Sequence, residues 1–208
     1  MTAKHATEVD IKLFGRWDTK GLEFTDASVQ PYINVSPVII PHTHGLWTSK
    51  RQKQRVSVVE KLANRLMRSG QGTNKLSGRY IRSRKNAGKK LLALRVMEEA
   101  FEIIENQTKQ NPLNVLIRAV ENAGMREDVT RLKKGGANIA ISVDVSPQQR
   151  VTEAVKNISL GTLNSTFKNK KTVQKALADE IMLAAKEDQA SYAIKRRNEQ
   201  ERIAKSAR

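Results

Sequence analysis

A stretch of concentrated positive charge restricts the folds open to this chain more than any other feature. Between Lys50 and Arg95 the sequence has fifteen lysines and arginines and a single acid, Glu60, out of a formal net charge of +17 for all 208 residues. Like charges at this density repel one another in a compact chain unless a polyanion neutralises them. The pattern therefore favours a fold that presents this stretch to a phosphate backbone, and nucleic acid is the first candidate partner.

The composition limits how such a partner is held and excludes several classes of function. The chain has two tryptophans, three tyrosines and four phenylalanines, so base stacking has little material and contacts from lysine and arginine to phosphate must dominate. Because cysteine is absent, disulfides, thiolate metal sites and thiol nucleophiles are excluded. No apolar run approaches the ~18 residues that a membrane span requires, and the first residues do not resemble a secretory signal. We expect a soluble intracellular protein with no membrane partner.

Hydrophobic periodicity predicts a mainly helical fold. The predicted helices begin near Lys53, Lys89, Pro112, Ser146, Thr172 and Ser191. Asn111 followed by Pro112 is a strong start signal, and Gly124 is a typical end. The helix from Lys89 to Gln107 is apolar on two sides, so we expect it at the centre of the bundle.

The predicted bundle of about six helices occupies residues 50–208, which we predict to form one helical nucleic-acid-binding domain. An irregular N-terminal arm precedes it over residues 1–49, where Pro31, Pro37 and Pro41 interrupt regular structure. Apolar residues within this arm, among them Leu13 and Trp17, indicate that it lies against the bundle or a partner.

One segment departs from helical periodicity and predicts a β-hairpin at about residues 127–145. Apolar and polar residues alternate with period two on both sides of Gly135-Gly136. A two-stranded ribbon is only marginally stable in water by itself. We therefore expect the hairpin, with Lys133 and Lys134 near its tip, to protrude toward a partner.

The basic stretch contains a helix face and a loop that are both suited to phosphate. Lys61, Arg65 and Arg68 lie opposite the apolar side of the first predicted helix. A merely solvated face is the alternative interpretation of such a stripe. The loop Ser69–Lys90 is rich in glycine, serine and asparagine and has no acid, so its backbone can approach a ligand closely. We expect this loop to be unstructured without its partner.

Catalytic and cofactor chemistry have no convincing candidates in the sequence. Gly70-Gln71-Gly72 does not extend to a dinucleotide-binding motif, and no phosphate-binding GxxxxGK[ST] motif occurs. His42 and His44 lack a third metal ligand nearby. We therefore predict no enzyme activity, no metal and no cofactor.

Several segments together resemble a known family. They are NPLNVLIRAVENAG (111–124), REDVTRLKKGGANIAISVDVSPQQR (126–150), ALADEIMLAAK (176–186) and SYAIKRRNEQERIAKS (191–206). In order and spacing they are similar to the universal small-ribosomal-subunit protein family numbered seven, whose eukaryotic cytosolic members are numbered five. Residues 11–17 and 41–42 resemble the eukaryotic branch.

The resemblance implies a structural ribosomal protein, a primary binder of small-subunit rRNA that nucleates assembly of the subunit head and serves translation. It implies a helical bundle whose β-ribbon lies near the mRNA exit and the exit-site tRNA, with neighbouring small-subunit proteins as further partners. The implied location is the cytosolic ribosome, with nuclear and nucleolar passage during assembly. Residues 71–85 depart from the family pattern as an insertion, and Gln149 replaces an arginine common in bacterial members.

Charge and resemblance together give the candidate site residues. The predicted rRNA-binding residues are Lys50, Arg51, Lys53, Arg55, Lys61, Arg65, Arg68, Lys75, Arg79, Arg82, Arg84, Lys85, Lys89, Lys90, Arg150, Lys195, Arg196 and Arg197. The predicted hairpin residues facing tRNA and mRNA are Arg131, Lys133, Lys134, Gly135 and Gly136. The main alternative is a free-standing nucleic-acid chaperone or architectural protein, which would use the same charge without a fixed site. A basic protein of membrane surfaces and an RNA-processing enzyme fit the sequence less well.

Overall fold

The computed structural model describes residues 11–43, 49, 55–67, 71–76, 79–82 and 88–207, with backbone only for 71–76, 79–82 and Lys134. Within this part of the chain there are six α-helices, two antiparallel strand pairs and a 3₁₀ helix, Gln30–Tyr32. The helices are α1 (Val58–Leu66), α2 (Lys90–Thr108), α3 (Pro112–Ala123), α4 (Pro147–Thr166), α5 (Val173–Ala185) and α6 (Tyr192–Ser206). The strands are β1 (Gln71–Leu76), β2 (Arg79–Arg82), β3 (Glu127–Lys134) and β4 (Ala137–Asp144). The prediction of a mainly helical bundle with a hairpin at about 127–145 is confirmed.

Local capping explains where several helices begin. The Asn111 side chain accepts a hydrogen bond from the Leu113 backbone N–H at 3.0 Å, and Pro112 occupies the first helical position. The Ser191 side chain caps α6 in the same way, accepting from the Ile194 N–H at 3.3 Å. The first helix starts later than predicted. Its N-cap Ser57 is extended, and the Val58 N–H donates to the Asn34 carbonyl at 2.9 Å, which ties α1 to the arm.

The pair β1–β2 was not expected, since we predicted an unstructured loop over Ser69–Lys90. Its backbone pairs Lys75 with Tyr80 and Leu76 with Arg79. The prediction is wrong for these ten strand residues. The strands QGTNKL and RYIR have only three large apolar residues between them and carry little hydrophobic signal, so the pattern in the sequence did not reveal them.

The centre of the bundle is α5, which packs against α2, α3, α4 and α6. Our prediction that α2 lies at the centre is wrong. One side of α2 is buried through Met97, Phe101 and Ile104, but Leu92, on its other side, is 51% exposed, and Leu91, which periodicity assigns to the buried side, is 73% exposed. Periodicity identified the buried side apart from Leu91, and the second apolar side is only partly covered in the described structure, through Val96 and Ile103.

The arm is irregular, yet it forms part of the same hydrophobic core. Leu13, Trp17, Val29 and Ile33 are buried with the helices. The Trp17 ring meets Phe101 edge-on, with 5.5 Å between ring centroids, and its Nε1–H donates to Glu105 at 3.0 Å. The boundary that we placed at residue 49 remains a prediction.

Candidate nucleic-acid interface

The ribbon formed by β3 and β4 ends in a tight two-residue turn that exposes cations. Gly135 and Gly136 have φ of +57° and +83°, the left-handed backbone that a hairpin turn of this length requires. Arg131 and Lys133 are two residues apart, so they lie on one face of the ribbon, and both are exposed. The ribbon therefore presents a cationic face near its tip.

The opposite face of the ribbon is apolar along β4. The register places Leu132 across from Ile139, and Ile141 and Val143 continue the same face along β4. These four side chains are 38–52% exposed. The alternation of residues thus places Arg131 and Lys133 on one side of the ribbon and the large apolar side chains of β4 on the other.

At the start of α2, two lysines that are adjacent in sequence have different environments. Lys89 is exposed, whereas Lys90 forms an ion pair with the buried carboxylate of Glu60. The same Glu60 oxygen accepts hydrogen bonds from the Thr43 N–H at 3.2 Å and its hydroxyl at 3.0 Å. The single acid of the basic stretch therefore joins the arm, α1 and α2, a role that we did not foresee from the sequence.

The helix face that we predicted from α1 is only partly at the surface. Arg55 is exposed and Arg65 is half-buried. Lys61 is largely buried, and its Nζ donates to the Tyr32 carbonyl at 3.0 Å. Burial lowers the pKa of Lys61 to about 8, because removing the ammonium from water disfavours its charged form. Lys61 thus fastens the arm to α1.

Arg150 also points into the protein. Its guanidinium donates to Asp26 Oδ2 at 2.8 Å and to the Ser28 hydroxyl at 3.2 Å. Hydrogen bonds from Ser28, together with Arg150, lower the pKa of Asp26 to about 2. Arg150 is 8% exposed, so it ties α4 to the arm, and a contact from it to rRNA remains a prediction.

The basic cluster of α6 is divided in the same way. Lys195 is exposed. Arg197 donates to the Asn122 carbonyl at 2.5 Å and to Glu187 at 3.1 Å, and Arg196 pairs with Glu199 one turn along the helix. Among the three, Lys195 and Arg196 therefore lie at the surface, while Arg197 is held by Asn122 and Glu187.

The remaining predicted residues cannot be placed by their side chains. Those outside the described residues are Lys50, Arg51, Lys53, Arg68, Arg84 and Lys85. Lys75 lies in β1, and Arg79 and Arg82 lie in β2, each described by backbone alone.

Comparison with known proteins decides which family this arrangement represents. The profile of the family described as ribosomal protein S7p/S5e matches residues 29–208. The chain belongs to the ribosomal protein S7p/S5e family. It is 45% identical over 202 residues to the small ribosomal subunit protein uS7 of Methanococcus aeolicus, which covers 96% of this chain and 100% of the relative. The uS7 proteins of Methanococcus maripaludis and Methanococcoides burtonii are 46% and 42% identical, covering 96% and 95% of this chain and 100% and 99% of the relatives.

Membership of the S7p/S5e family confirms the resemblance seen in the sequence. It also confirms that the chain is a ribosomal protein and not an enzyme. Among the residues that the structure describes, no group of three or more potential metal ligands is found. In the same residues, none of the helices is both long and apolar enough to cross a membrane.

Some of the predicted site residues lie at the surface of the chain, and others are buried or partly buried. The exposed ones are Arg55, Lys89, Arg131, Lys133, Gly135, Gly136 and Lys195. A further basic segment, Phe167–Lys171, joins α4 to α5 and was not singled out from the sequence. An aromatic residue next to three lysines in five positions is the signal that could have revealed it.

Proposed function

We propose that this chain is a structural component of the small ribosomal subunit that binds small-subunit rRNA. The observation that carries the proposal is identity of 42–46% to small-subunit proteins over at least 95% of this chain. The net charge of +17, concentrated between Lys50 and Arg95, supplies the physical reason for an RNA partner.

In the proposed mechanism the helical bundle is a rigid frame for surface cations. The buried pairs Lys90–Glu60 and Arg150–Asp26 fix the arm to the helices. The exposed residues Arg55 and Lys89 then neutralise phosphates where the folded rRNA meets the start of α1 and α2. A binder that needs no other protein to form this frame can bind early and nucleate assembly of the subunit head.

The ribbon has a separate role in the proposal. Its cationic face, with Arg131 and Lys133, lies toward the mRNA exit and the exit-site tRNA, where phosphates of passing RNA are available. Gly135 and Gly136 allow the backbone at the tip to approach an RNA strand closely, because neither carries a side chain. Support comes from the exposure of these residues and of nearly all of β4.

Affinity measured over a salt series tests the phosphate contacts. With ~6–10 phosphates neutralised, affinity for small-subunit rRNA should fall roughly 10³–10⁵-fold between 50 and 200 mM salt. Lys89→Gln should make the slope of log affinity against log salt less steep by the contribution of one phosphate contact, about one. The matched control is Lys186→Gln, which removes the same charge from an exposed position outside the basic stretch. A flat salt response, or equal slopes for the two variants, would contradict the proposed contacts.

Sedimentation distinguishes a fixed ribosomal site from a free-standing nucleic-acid chaperone. The tagged chain should migrate with small subunits in a gradient and stay with them through a high-salt wash. A chain found only in light fractions would favour the chaperone. The location proposed is the ribosome in the cytosol; nucleolar passage has no support from the archaeal relatives and is left out.

Charge reversal tests the role of the ribbon. Lys133 and Lys134 changed together to Glu should leave rRNA affinity mostly intact and weaken retention of tRNA in the exit site of assembled ribosomes. A collapse of rRNA binding in this double variant would assign the tip to assembly instead.

A further inference from the structure

An apolar groove lies between the beginning of α2 and the segment that joins α4 to α5. It has a cavity volume of about 550 Å³, within the ~300–1,000 Å³ typical of sites for small organic groups. Leu92 and Val96, from the partly covered side of α2, form one wall, and Leu163 and Val173 form the other. The second apolar side of α2 is therefore the surface that this groove exposes.

Phe167 stands at the edge of the groove. It ends α4, with its backbone N–H donating to the Leu163 carbonyl at 2.9 Å, so its position is fixed by the helix. Its side chain is 68% exposed, more than any other aromatic side chain that the structure describes. An exposed ring on a fixed backbone is what stacking with a flat ligand requires.

The charged residues that line the groove are all basic. Lys89, Lys168 and Lys171 line it, and none of the described lining residues is acidic. The Lys168 ammonium is 5.8 Å from the centre of the Phe167 ring. Lys171 is held by Asp179 at 2.7 Å, while Lys89 and Lys168 are exposed. A ligand that complements this groove has a flat apolar part and a negative charge beside it.

We propose that the groove receives one unstacked base of the small-subunit rRNA, stacked on Phe167, with its phosphate between Lys89 and Lys168. RNA is recognised in this way where bulges or loops turn a base outward onto an aromatic ring. The proposal rests on the rRNA-binding function and names a contact within it. Lys89 belongs to the basic stretch, which favours RNA as the occupant of the groove. An apolar segment of a neighbouring protein would not need basic residues along the groove.

Affinity for small-subunit rRNA, measured for the full chain over the same salt series, tests the stacking. Phe167→Ala should lower the affinity roughly 5- to 150-fold, the effect of one stacked base. Because stacking releases no counterions, the salt slope should not change. Phe167→Trp should retain the affinity, and Lys168→Gln should reduce the slope. Ile203→Ala, at an exposed apolar position on α6 that is 45% exposed, is the matched control and should bind like the unmodified chain.

Each other outcome overturns the stacking contact. If Phe167→Ala binds rRNA with unchanged affinity, no base stacks in the groove. If the same variant binds a neighbouring ribosomal protein more weakly than the unmodified chain does, the groove is a site for that protein. A fall in thermal midpoint that matches the loss of affinity would mean that Phe167 acts only in folding. If the unmodified chain does not bind rRNA, the proposed function is refuted as well. If its affinity falls steeply with salt but does not depend on Phe167, only the stacking contact is refuted.

Discussion

Gly161 and Glu180 form a contact whose disruption can be worked out in some detail. Glu180, on α5, is 4% exposed. One of its carboxylate oxygens accepts from the Ser191 hydroxyl at 2.8 Å and from the Ala193 N–H at 3.0 Å, at the beginning of α6. A Cβ at Gly161, on α4, would lie 2.6 Å from Glu180 Cδ and 2.7 Å from Oε1. Gly161→Ala therefore requires the carboxylate to leave its hydrogen bonds.

The expected magnitude follows from opposing effects. Hydrogen bonds to a charged group contribute about 1.5–3 kcal/mol each, and one or both to Glu180 are lost. Replacing glycine by alanine inside a helix by itself stabilises by about 1 kcal/mol. We expect Gly161→Ala to lower the free energy of unfolding by about 0.5–5 kcal/mol, the upper part of this range if both hydrogen bonds are lost.

A double-mutant cycle in urea, followed by tryptophan fluorescence, to which buried Trp17 contributes, measures this coupling. In a Glu180→Ala background the added methyl group meets space, so Gly161→Ala should stabilise by about 1 kcal/mol. Asn164→Ala, at an exposed position of the same helix, controls for helix propensity. If Gly161→Ala has the same effect in both backgrounds, the carboxylate is not held where the structure places it, and the reasoning is refuted.

Three further predictions concern the attachment of the arm. In urea titrations, Trp17→Ala should lower the free energy of unfolding by about 3–5 kcal/mol. Arg16→Ala removes an exposed ion pair with Glu102 and should change the free energy of unfolding by at most about 1 kcal/mol. Equal effects of the two variants would contradict a buried arm. Because the pKa of Asp26 is lowered to about 2, its contribution should be complete above about pH 3.8 and lost as pH falls toward 2. Acid unfolding of Asp26→Asn should lack this component, and an unchanged curve would argue against the pair. Because the pKa of Lys61 is lowered to about 8, its burial penalty should be full below pH 8 and relieved as pH rises toward 10.5. The stability of the unmodified chain minus that of Lys61→Met should therefore rise over that range, and a flat difference would refute it.

Features encoded by neighbouring residues could be predicted from the sequence. The start of α3 is determined by Asn111 and Pro112, and the ribbon by alternation around Gly135-Gly136, so both were found where expected. The orientation of Arg150 could not be predicted, because its partner Asp26 is 124 residues away in the chain. Charge alone assigns an arginine to the surface, while its burial depends on a carboxylate that only the folded chain supplies.

The position of α2 shows the same limit for apolar residues. Periodicity identifies which sides of a helix are apolar, but it does not show whether another element covers each side. Leu92 therefore belongs to a groove and not to the centre of the bundle. The single acid Glu60 was likewise visible in the sequence, yet its bonds to Thr43 and Lys90 depend on how the arm returns to the helices.

The two-sidedness of the β3–β4 ribbon limits how its length can change. Inserting one residue into a strand moves every side chain beyond the insertion to the opposite face of the ribbon. An insertion before Arg131 would therefore place Arg131 on the face that Leu132 now occupies, and Leu132 on the face of Arg131. Adding two residues to each strand preserves the arrangement of the two faces. Longer or shorter ribbons that still work should therefore differ from this one by even increments, and an odd increment should be accompanied by a bulge that restores phase.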